Sequence, residues 1–84
     1  MRNEKEIQLK LFGDHLKKLR KEKSLSQKDL SDICKLDTSK LSKIENGKIN
    51  ITMSTLTEIA TALDEPLYIL TDFYDKCIVS GKEH

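Results

Sequence analysis

The sequence predicts an all-α protein in which five short helices form a single compact domain. Apolar residues recur at spacings of three and four in successive windows of the chain, which is the period of an amphipathic helix. Serine, threonine and aspartate residues suited to capping helix N-termini separate these windows. With 84 residues, three glycines and one proline, the chain is too short for a second core and too poor in turn residues for a loop-rich scaffold. We therefore expect one domain over residues 1–84.

The first helix is predicted over about residues 5–22. Leu9, Phe12, Leu16 and Leu19 follow one another at spacings of three, four and three, which places them on one face of a helix. The next segment, KSLS, ends this periodicity. This face of the first helix is expected to enter the core.

The second helix is predicted to begin after Ser26. Ser26 and Asp29 have the spacing of a capping box, in which the hydroxyl accepts an unpaired backbone N–H and the carboxylate accepts the serine N–H. Leu30, Ile33 and Cys34 are expected to form the buried stripe of this helix, with Cys34 as a core residue rather than a redox group.

The third helix is predicted over residues 38–46 after a tight turn, KLD. Asp37 is a suitable N-cap, Leu36 is expected to point inward, and Gly47 is expected to end the helix with a positive φ angle. At about 100° per residue, Leu41 and Ile44 define the buried side of this helix. The opposite side and its flanks carry hydroxyl, amide and ammonium groups, those of Thr38, Ser39, Lys40, Ser42, Lys43 and Asn46.

Glu45 lies at the buried edge of the third helix. A buried carboxylate needs a charged or hydrogen-bonding partner. Arg20, near the end of the first helix, is the best candidate because a guanidinium can bind a carboxylate with two parallel hydrogen bonds.

Two further helices complete the predicted fold. Thr52 caps a fourth helix whose apolar stripe is Met53, Leu56, Ile59, Ala60 and Leu63. Pro66 suits the first position of a fifth helix over residues 66–79. The apolar residues of this helix cover about half its circumference, more than a helix that only closes a small core needs. The surplus predicts a dimer interface of Leu67, Leu70, Phe73, Tyr74, Cys77 and Ile78, and a fully packed terminal helix is the alternative.

Charge is distributed unevenly along the chain. Up to Lys48 there are 13 Lys and Arg against 8 Asp and Glu, and from Ile49 onward there are 2 against 6. The basic half can face a polyanion, although a solvated charged surface would give the same count. Two short helices joined by a tight turn, the second polar outside, form a helix-turn-helix that fits the major groove of DNA.

Other classes of protein find no support in the sequence. The charged N-terminus is not a signal peptide, and no apolar run is long enough to span a membrane, so a cytoplasmic protein is expected. The two cysteines and two histidines lack metal-ligand spacing, which predicts no metal and no cofactor. No nucleophile or acid–base pair stands out, so an enzyme is not expected.

The stretch LKKLRKEKSLSQKDLSDICKLDTSKLSKIENGK, followed by TMSTLTEIATAL, resembles the Cro and phage-repressor (Xre-like) helix-turn-helix family. The resemblance covers about residues 12–70. It implies a compact five-helix, lambda-repressor-like DNA-binding domain with residues 66–79 as a dimerisation element. It also implies a sequence-specific regulator of transcription, with repression expected where the bound site overlaps a promoter.

Roles for individual residues follow from the same resemblance. Arg20 and Glu45 match a pair that ties the first helix to the third. Gln27 is expected to contact phosphate and to brace the third helix, and the backbone amides around Gly47 are expected to help bind a second phosphate. The implied base contacts are Thr38, Ser39 and Lys43, with Ser42 beside them, and the implied phosphate contacts are Gln27, Lys40, Asn46, Lys48 and Asn50.

The chain departs from the family pattern at three positions. Ser24 and Lys35 stand where glycine commonly ends the first and second helices, so we expect non-glycine residues with left-handed backbone there. Ser31 replaces a small alanine where the second helix packs closely.

The expected partner is double-stranded DNA. A homodimer would place two copies of the helix over residues 38–46 in successive major grooves, about 34 Å apart on a pseudo-palindrome. The alternative is an adaptor or antitoxin that uses the same fold mainly to bind a protein, such as a toxin or RNA polymerase.

Overall fold

The computed structural model describes residues 4–71, which form five helices and contain no strand. The all-α prediction is confirmed. The predicted residues Phe73, Tyr74, Cys77 and Ile78 lie outside the described part of the chain. The helices are α1 (Glu4–Glu22), α2 (Gln27–Cys34), α3 (Thr38–Glu45), α4 (Met53–Leu63) and α5 (Leu67–Leu70).

A single aliphatic core lies between the helices. α1 packs against α3 and α5, α2 packs against α3 and α4, and α4 packs against α5. Each helix therefore contributes apolar side chains to the same cluster, which is the main source of stability in so small a domain. Its buried members are Phe12, Leu16, Leu19, Leu30, Cys34, Leu41, Ile44, Leu56, Ile59, Ala60, Leu63 and Leu70.

The helix starts follow the predicted caps with two differences. The capping box of α2 is confirmed, because Asp29 N donates to Ser26 Oγ at 2.9 Å and Ser26 N donates to Asp29 Oδ2 at 3.0 Å. Thr52 accepts from Thr55 N at 3.1 Å. Asp37 occupies the N-cap of α3, but its side chain makes no capping hydrogen bond. Pro66 is the N-cap of α5 and not its first residue, so the helix begins one residue later than predicted, at Leu67.

The first four helices each end at a residue with left-handed backbone. Ser24 and Lys35 both have a φ of 60°, as their positions in the sequence predicted, and Gly47 has a φ of 71°. Asp64 has a φ of 59°, which the sequence did not single out. An L-residue in this region costs roughly 1–2 kcal/mol relative to right-handed helix, so three of these turns carry some strain.

Two residues assigned to buried stripes are exposed. Ile33 is 52% exposed and Met53 is 64% exposed, so both predictions of a core position are wrong. In α2 the buried residues are Leu30, Ser31 and Cys34, and Ile33 lies about 100° around the helix from their centre. Met53 is the first residue of α4, a turn before the first buried position.

Candidate nucleic-acid interface

The helix-turn-helix consists of α2 and α3, joined by a turn over residues 35–37. In α3, Leu41 and Ile44 are buried, as predicted. The turn residue Leu36 is half-buried against the core. The opposite side of α3 presents polar groups to solvent: Thr38, Ser39, Lys40, Lys43 and Asn46 are exposed, and Ser42 is half-buried.

The predicted pair between Arg20 and Glu45 is confirmed as a buried ion pair. Arg20 Nε donates to Glu45 Oε2 at 2.6 Å, and Arg20 Nη2 donates to Glu45 Oε1 at 3.1 Å. Arg20 Nη1 also donates to the carbonyl of Leu25 at 2.7 Å. Glu45 has no exposed surface. These bonds compensate the cost of removing both charges from water and tie the end of α3 to α1.

Gln27 joins the same network from the start of α2. Its Nε2 donates to Glu45 Oε1 at 3.0 Å. A primary amide carries two N–H donors, so one remains besides the bond to Glu45. The bond to Glu45 gives Gln27 a contact that braces α3, one of the two roles that the family resemblance implies.

Gly13 is a structural residue of this site that sequence reasoning missed. It is buried where α1 crosses the end of α3, and a Cβ atom there would meet the backbone carbonyls of Ile44 and Glu45. The contact would be too close for any side chain, so only glycine lets the two helices approach this closely. The available signal was a glycine inside a helical pattern, which is unfavourable by about 1 kcal/mol without a packing reason.

The backbone amides at the end of α3 are already hydrogen-bonded. Asn46 N donates to Ser42 O at 3.0 Å, Gly47 N to Ile44 O at 3.1 Å, and Lys48 N to Lys43 O at 2.9 Å. The last two bonds form a Schellman motif, which uses the amides to satisfy the final carbonyls of the helix. These three amides therefore satisfy carbonyls of α3, and the predicted phosphate contact rests on the exposed side chains of Asn46 and Lys48.

The lysines of this surface are not neutralised by carboxylates. Within residues 4–71 the ion pairs are Lys10–Asp14, Arg20–Glu45, Lys23–Glu65 and Lys28–Asp32. None of them uses Lys40, Lys43 or Lys48, and all three lysines are exposed. The outer face of α3 and the loop that follows it, where Asn50 is also exposed, therefore present uncompensated positive charge to solvent.

Ser31 and Thr38 connect α2 to the start of α3. Ser31 is only 5% exposed, and its Oγ lies 3.0 Å from Thr38 Oγ1 and 3.0 Å from the carbonyl of Lys28. Serine is therefore accommodated at this close-packed position of α2, and its hydroxyl contacts Thr38, the first residue of α3.

Other predicted sites fall elsewhere. Cys34 is buried, and burial raises the pKa of its thiol, which agrees with a packing role. Within the described part of the chain, no three His, Cys, Asp or Glu side chains could together hold a metal ion, and no helix is long and apolar enough to cross a membrane. Of the predicted dimer residues, Leu70 is fully buried inside its own chain and Leu67 is half-buried, whereas Tyr68, which was not predicted, is 70% exposed.

The helix-turn-helix family model (HTH_3) matches residues 16–70 of the chain. Control protein C.MunI from Mycoplasma sp is 47% identical over 53 residues, which cover 62% of this chain and 72% of that protein. The solved structure of the restriction-modification controller protein C.AhdI from Aeromonas hydrophila is 37% identical, with a TM-score of 0.73, covering 74% of this chain and 94% of that one. The clp gene regulator ClgR from C. glutamicum shares the fold at 17% identity, with a TM-score of 0.78, covering 84% of this chain and 92% of that one.

Proposed function

The chain belongs to the helix-turn-helix family and is a DNA-binding transcription regulator, and from this premise we propose that it binds a specific duplex site with α3 in the major groove. The observation that carries this proposal is the structure of α3 itself. Its outer face presents hydroxyls and lysines without ion-pair partners in the described part of the chain, and its C-terminal end is held by the buried ion pair of Arg20 and Glu45. A regulator needs no catalytic group, and none is proposed.

In this proposal Thr38, Ser39 and Lys43 contact base edges. Lys43 can donate to O6 or N7 of guanine, and the hydroxyls can bond to donors or acceptors of the other bases. Ser42 lies beside them and is partly covered. Lys43 has the longest side chain of the group and carries a positive charge, so it is expected to contribute most to base preference.

Phosphate contacts are proposed on both sides of α3. Gln27 stands at the start of α2, and Lys40, Asn46, Lys48 and Asn50 stand on α3 and the loop after it. Each phosphate that a lysine neutralises releases a counterion, so the affinity should fall steeply as salt concentration rises.

A homodimer on a pseudo-palindromic site is proposed, with half-sites about 34 Å apart. The exposed ring of Tyr68 and the half-buried Leu67 give α5 an apolar surface in the region predicted to dimerise. Such a regulator would act where the DNA is, in the cytoplasm.

The relatives support a narrower proposal about the regulated genes. C.MunI is called a control protein, and C.AhdI is called a restriction-modification controller protein. We propose that this chain likewise regulates restriction and modification genes. The proposal predicts that its binding site occurs in the promoter region of such genes beside its own, and a site confined to unrelated promoters would contradict it.

The test of DNA reading is a selection from random duplex DNA at near-physiological salt, followed by sequencing of the bound fraction. We expect a motif with two-fold symmetry, because each protomer supplies one copy of α3. No enrichment would contradict the proposal and would favour the alternative, an adaptor or antitoxin that binds a protein such as a toxin or polymerase.

The variant Lys43→Ala sharpens this selection. Removing the ammonium should change the preferred base at one position in each half-site, because a donor to a base edge is lost. Lys18→Ala is the matched control, since Lys18 is exposed and lies about 200° around α1 from the buried Arg20. It should leave the motif unchanged. An unchanged motif for Lys43→Ala would defeat the assignment of this lysine.

A further inference from the structure

The hydroxyl contact between Ser31 and Thr38 has a defined direction. Ser31 Oγ is bonded to two partners, the carbonyl of Lys28 at 3.0 Å and Thr38 Oγ1 at 3.0 Å. A carbonyl can only accept a hydrogen bond, so Ser31 must donate to Lys28. A serine hydroxyl carries a single proton, so the bond with Thr38 has to use the proton of Thr38.

The reverse arrangement forms fewer hydrogen bonds. If Ser31 donated to Thr38 instead, its bond to the carbonyl of Lys28 would be lost and only one of the two contacts would be a hydrogen bond. Ser31 is 5% exposed, so water cannot make up the difference for its hydroxyl. The favoured arrangement is therefore the one in which Thr38 donates to Ser31 and Ser31 donates to the carbonyl of Lys28.

The neighbouring groups leave this arrangement intact. The Asp37 side chain makes no capping bond at the start of α3. Ser39 has an exposed hydroxyl without a hydrogen bond in the described part of the chain, so it can rotate to donate or to accept. Thr38 is also exposed, and since its proton is used in the bond to Ser31, only the lone pairs of its oxygen remain for a base.

We propose that Ser31 makes Thr38 an obligatory acceptor, so that α3 prefers adenine or cytosine to guanine or thymine at the base that Thr38 contacts. Adenine N6 and cytosine N4 are the donors of the major groove, whereas guanine presents O6 and N7 and thymine presents O4 as acceptors. Ser31 touches no base and acts as a positioning residue. The inference rests on the proposed DNA binding and deepens it by assigning a base class to one position.

The first step of the test locates the position. Duplex selections are run with the wild-type protein and with Thr38→Val, which keeps the shape of the side chain and removes the hydroxyl. The position whose preference changes is the one under Thr38. Thr38→Ser keeps the hydroxyl and should retain the wild-type preference there.

The second step changes Ser31. In Ser31→Ala the proton of Thr38 is released, and its hydroxyl can donate or accept. We expect wild type to discriminate about two- to tenfold in favour of the base with the amino group, the size of one hydrogen bond, and Ser31→Ala to show less than half of that factor. Other positions of the motif should not change. Ser54→Ala, an exposed serine on α4, is the matched control.

Base analogues identify the strand. At the located position, adenine is replaced by purine, or cytosine by pyrimidin-2-one, each of which lacks only the exocyclic amino group. Wild type should lose about two- to tenfold in affinity, and Ser31→Ala should lose less than twofold. Comparing the proteins on the same two duplexes cancels any effect of the analogue on the DNA itself.

The outcomes separate the two proposals. A wild-type motif whose Thr38 position keeps its preference in Ser31→Ala overturns the inference and leaves the proposed function standing. A wild type that loses less than twofold in affinity when the exocyclic amino group of the located base pair is removed also overturns it. The absence of any motif overturns both. Circular dichroism checks that Ser31→Ala is folded, and if it is not, Ser31→Cys keeps the volume with a poor acceptor and should show the same loss.

Discussion

The two ends of α3 are held in place by different means. At the C-terminal end Glu45 is buried and bonded by Arg20 and Gln27, and α1 touches the backbone of α3 across Gly13. At the N-terminal end Asp37 makes no side-chain cap, and the side-chain bond there is the hydroxyl contact between Thr38 and Ser31. The C-terminal end is thus held by a buried ion pair and close backbone packing, and the N-terminal end is held by a hydrogen bond between two hydroxyls.

This difference indicates that the two ends of α3 contribute unequally to fixing its position. Buried charges need fixed partners, because removing one partner leaves an uncompensated charge inside the protein. The C-terminal end therefore determines where α3 lies relative to the rest of the domain. The N-terminal end is held by a weaker side-chain bond, so we expect Ser31→Ala to cost less stability than Arg20→Ala.

The largest expected effect is at the C-terminal end. Arg20→Ala removes the main partner of Glu45, and breaking a buried ion pair costs about 3–5 kcal/mol of unfolding free energy. Urea denaturation measures this loss, and DNA affinity should fall with it. The double variant Arg20→Met and Glu45→Leu removes both charges and should recover much of the stability. A loss below about 1 kcal/mol for Arg20→Ala would mean that α3 is not held by this pair.

The next effect tests the close approach at the same end. Gly13→Ala places a methyl group against the carbonyls of Ile44 and Glu45, and overpacking of this kind costs about 1–3 kcal/mol. Thermal unfolding of the variant and of the control Lys18→Ala, which is exposed on the same helix, measures it. At an ordinary glycine inside a helix, the change to alanine raises the unfolding free energy by about 1 kcal/mol. A gain of that size would show that Gly13 is not needed for the close approach of α1 and α3.

The smallest effects compare two N-caps. Ser26 makes a full capping box at the start of α2, so Ser26→Ala should cost about 1 kcal/mol. Asp37 makes no capping bond at the start of α3, so Asp37→Ala should cost about 0.5 kcal/mol or less, the size of its interaction with the helix dipole. The denaturation midpoints of Ser26→Ala and Asp37→Ala, each compared with wild type, measure the two losses of stability. Equal losses would show that the N-terminal end of α3 is capped after all.

Local pattern was enough to predict much of the fold. Periodic Leu, Ile and Phe residues located α1 to α4, and the spacing of Ser26 and Asp29 gave the capping box. The pair of Arg20 and Glu45 was predictable because a carboxylate at a buried helix edge requires a cation. The family resemblance, confirmed by the matching model, supplied the rest of the architecture.

Features that depend on how helices cross were not predictable from the sequence. Gly13 has its role only because α1 passes close to Glu45, and Ser31 has its role only because α2 brings it to Thr38. Ile33 was misassigned because an eight-residue helix offers too few apolar positions to fix the centre of its buried stripe. The hydrogen bonds of the amides near Gly47 were not predictable either, because the ending of α3 uses donors that the sequence leaves open.

Mapping the DNA-binding surface by NMR tests most directly whether α3 contacts DNA. Amide chemical shifts of the labelled protein are followed as the selected duplex is added at near-physiological salt. We expect the largest changes at Gln27 and over residues 38–48, and small changes at Ser54, Thr57 and Thr61 on the exposed side of α4. Changes centred on α4, or no changes at all with a duplex the protein retains, would contradict the claim that α3 is the DNA-contacting helix.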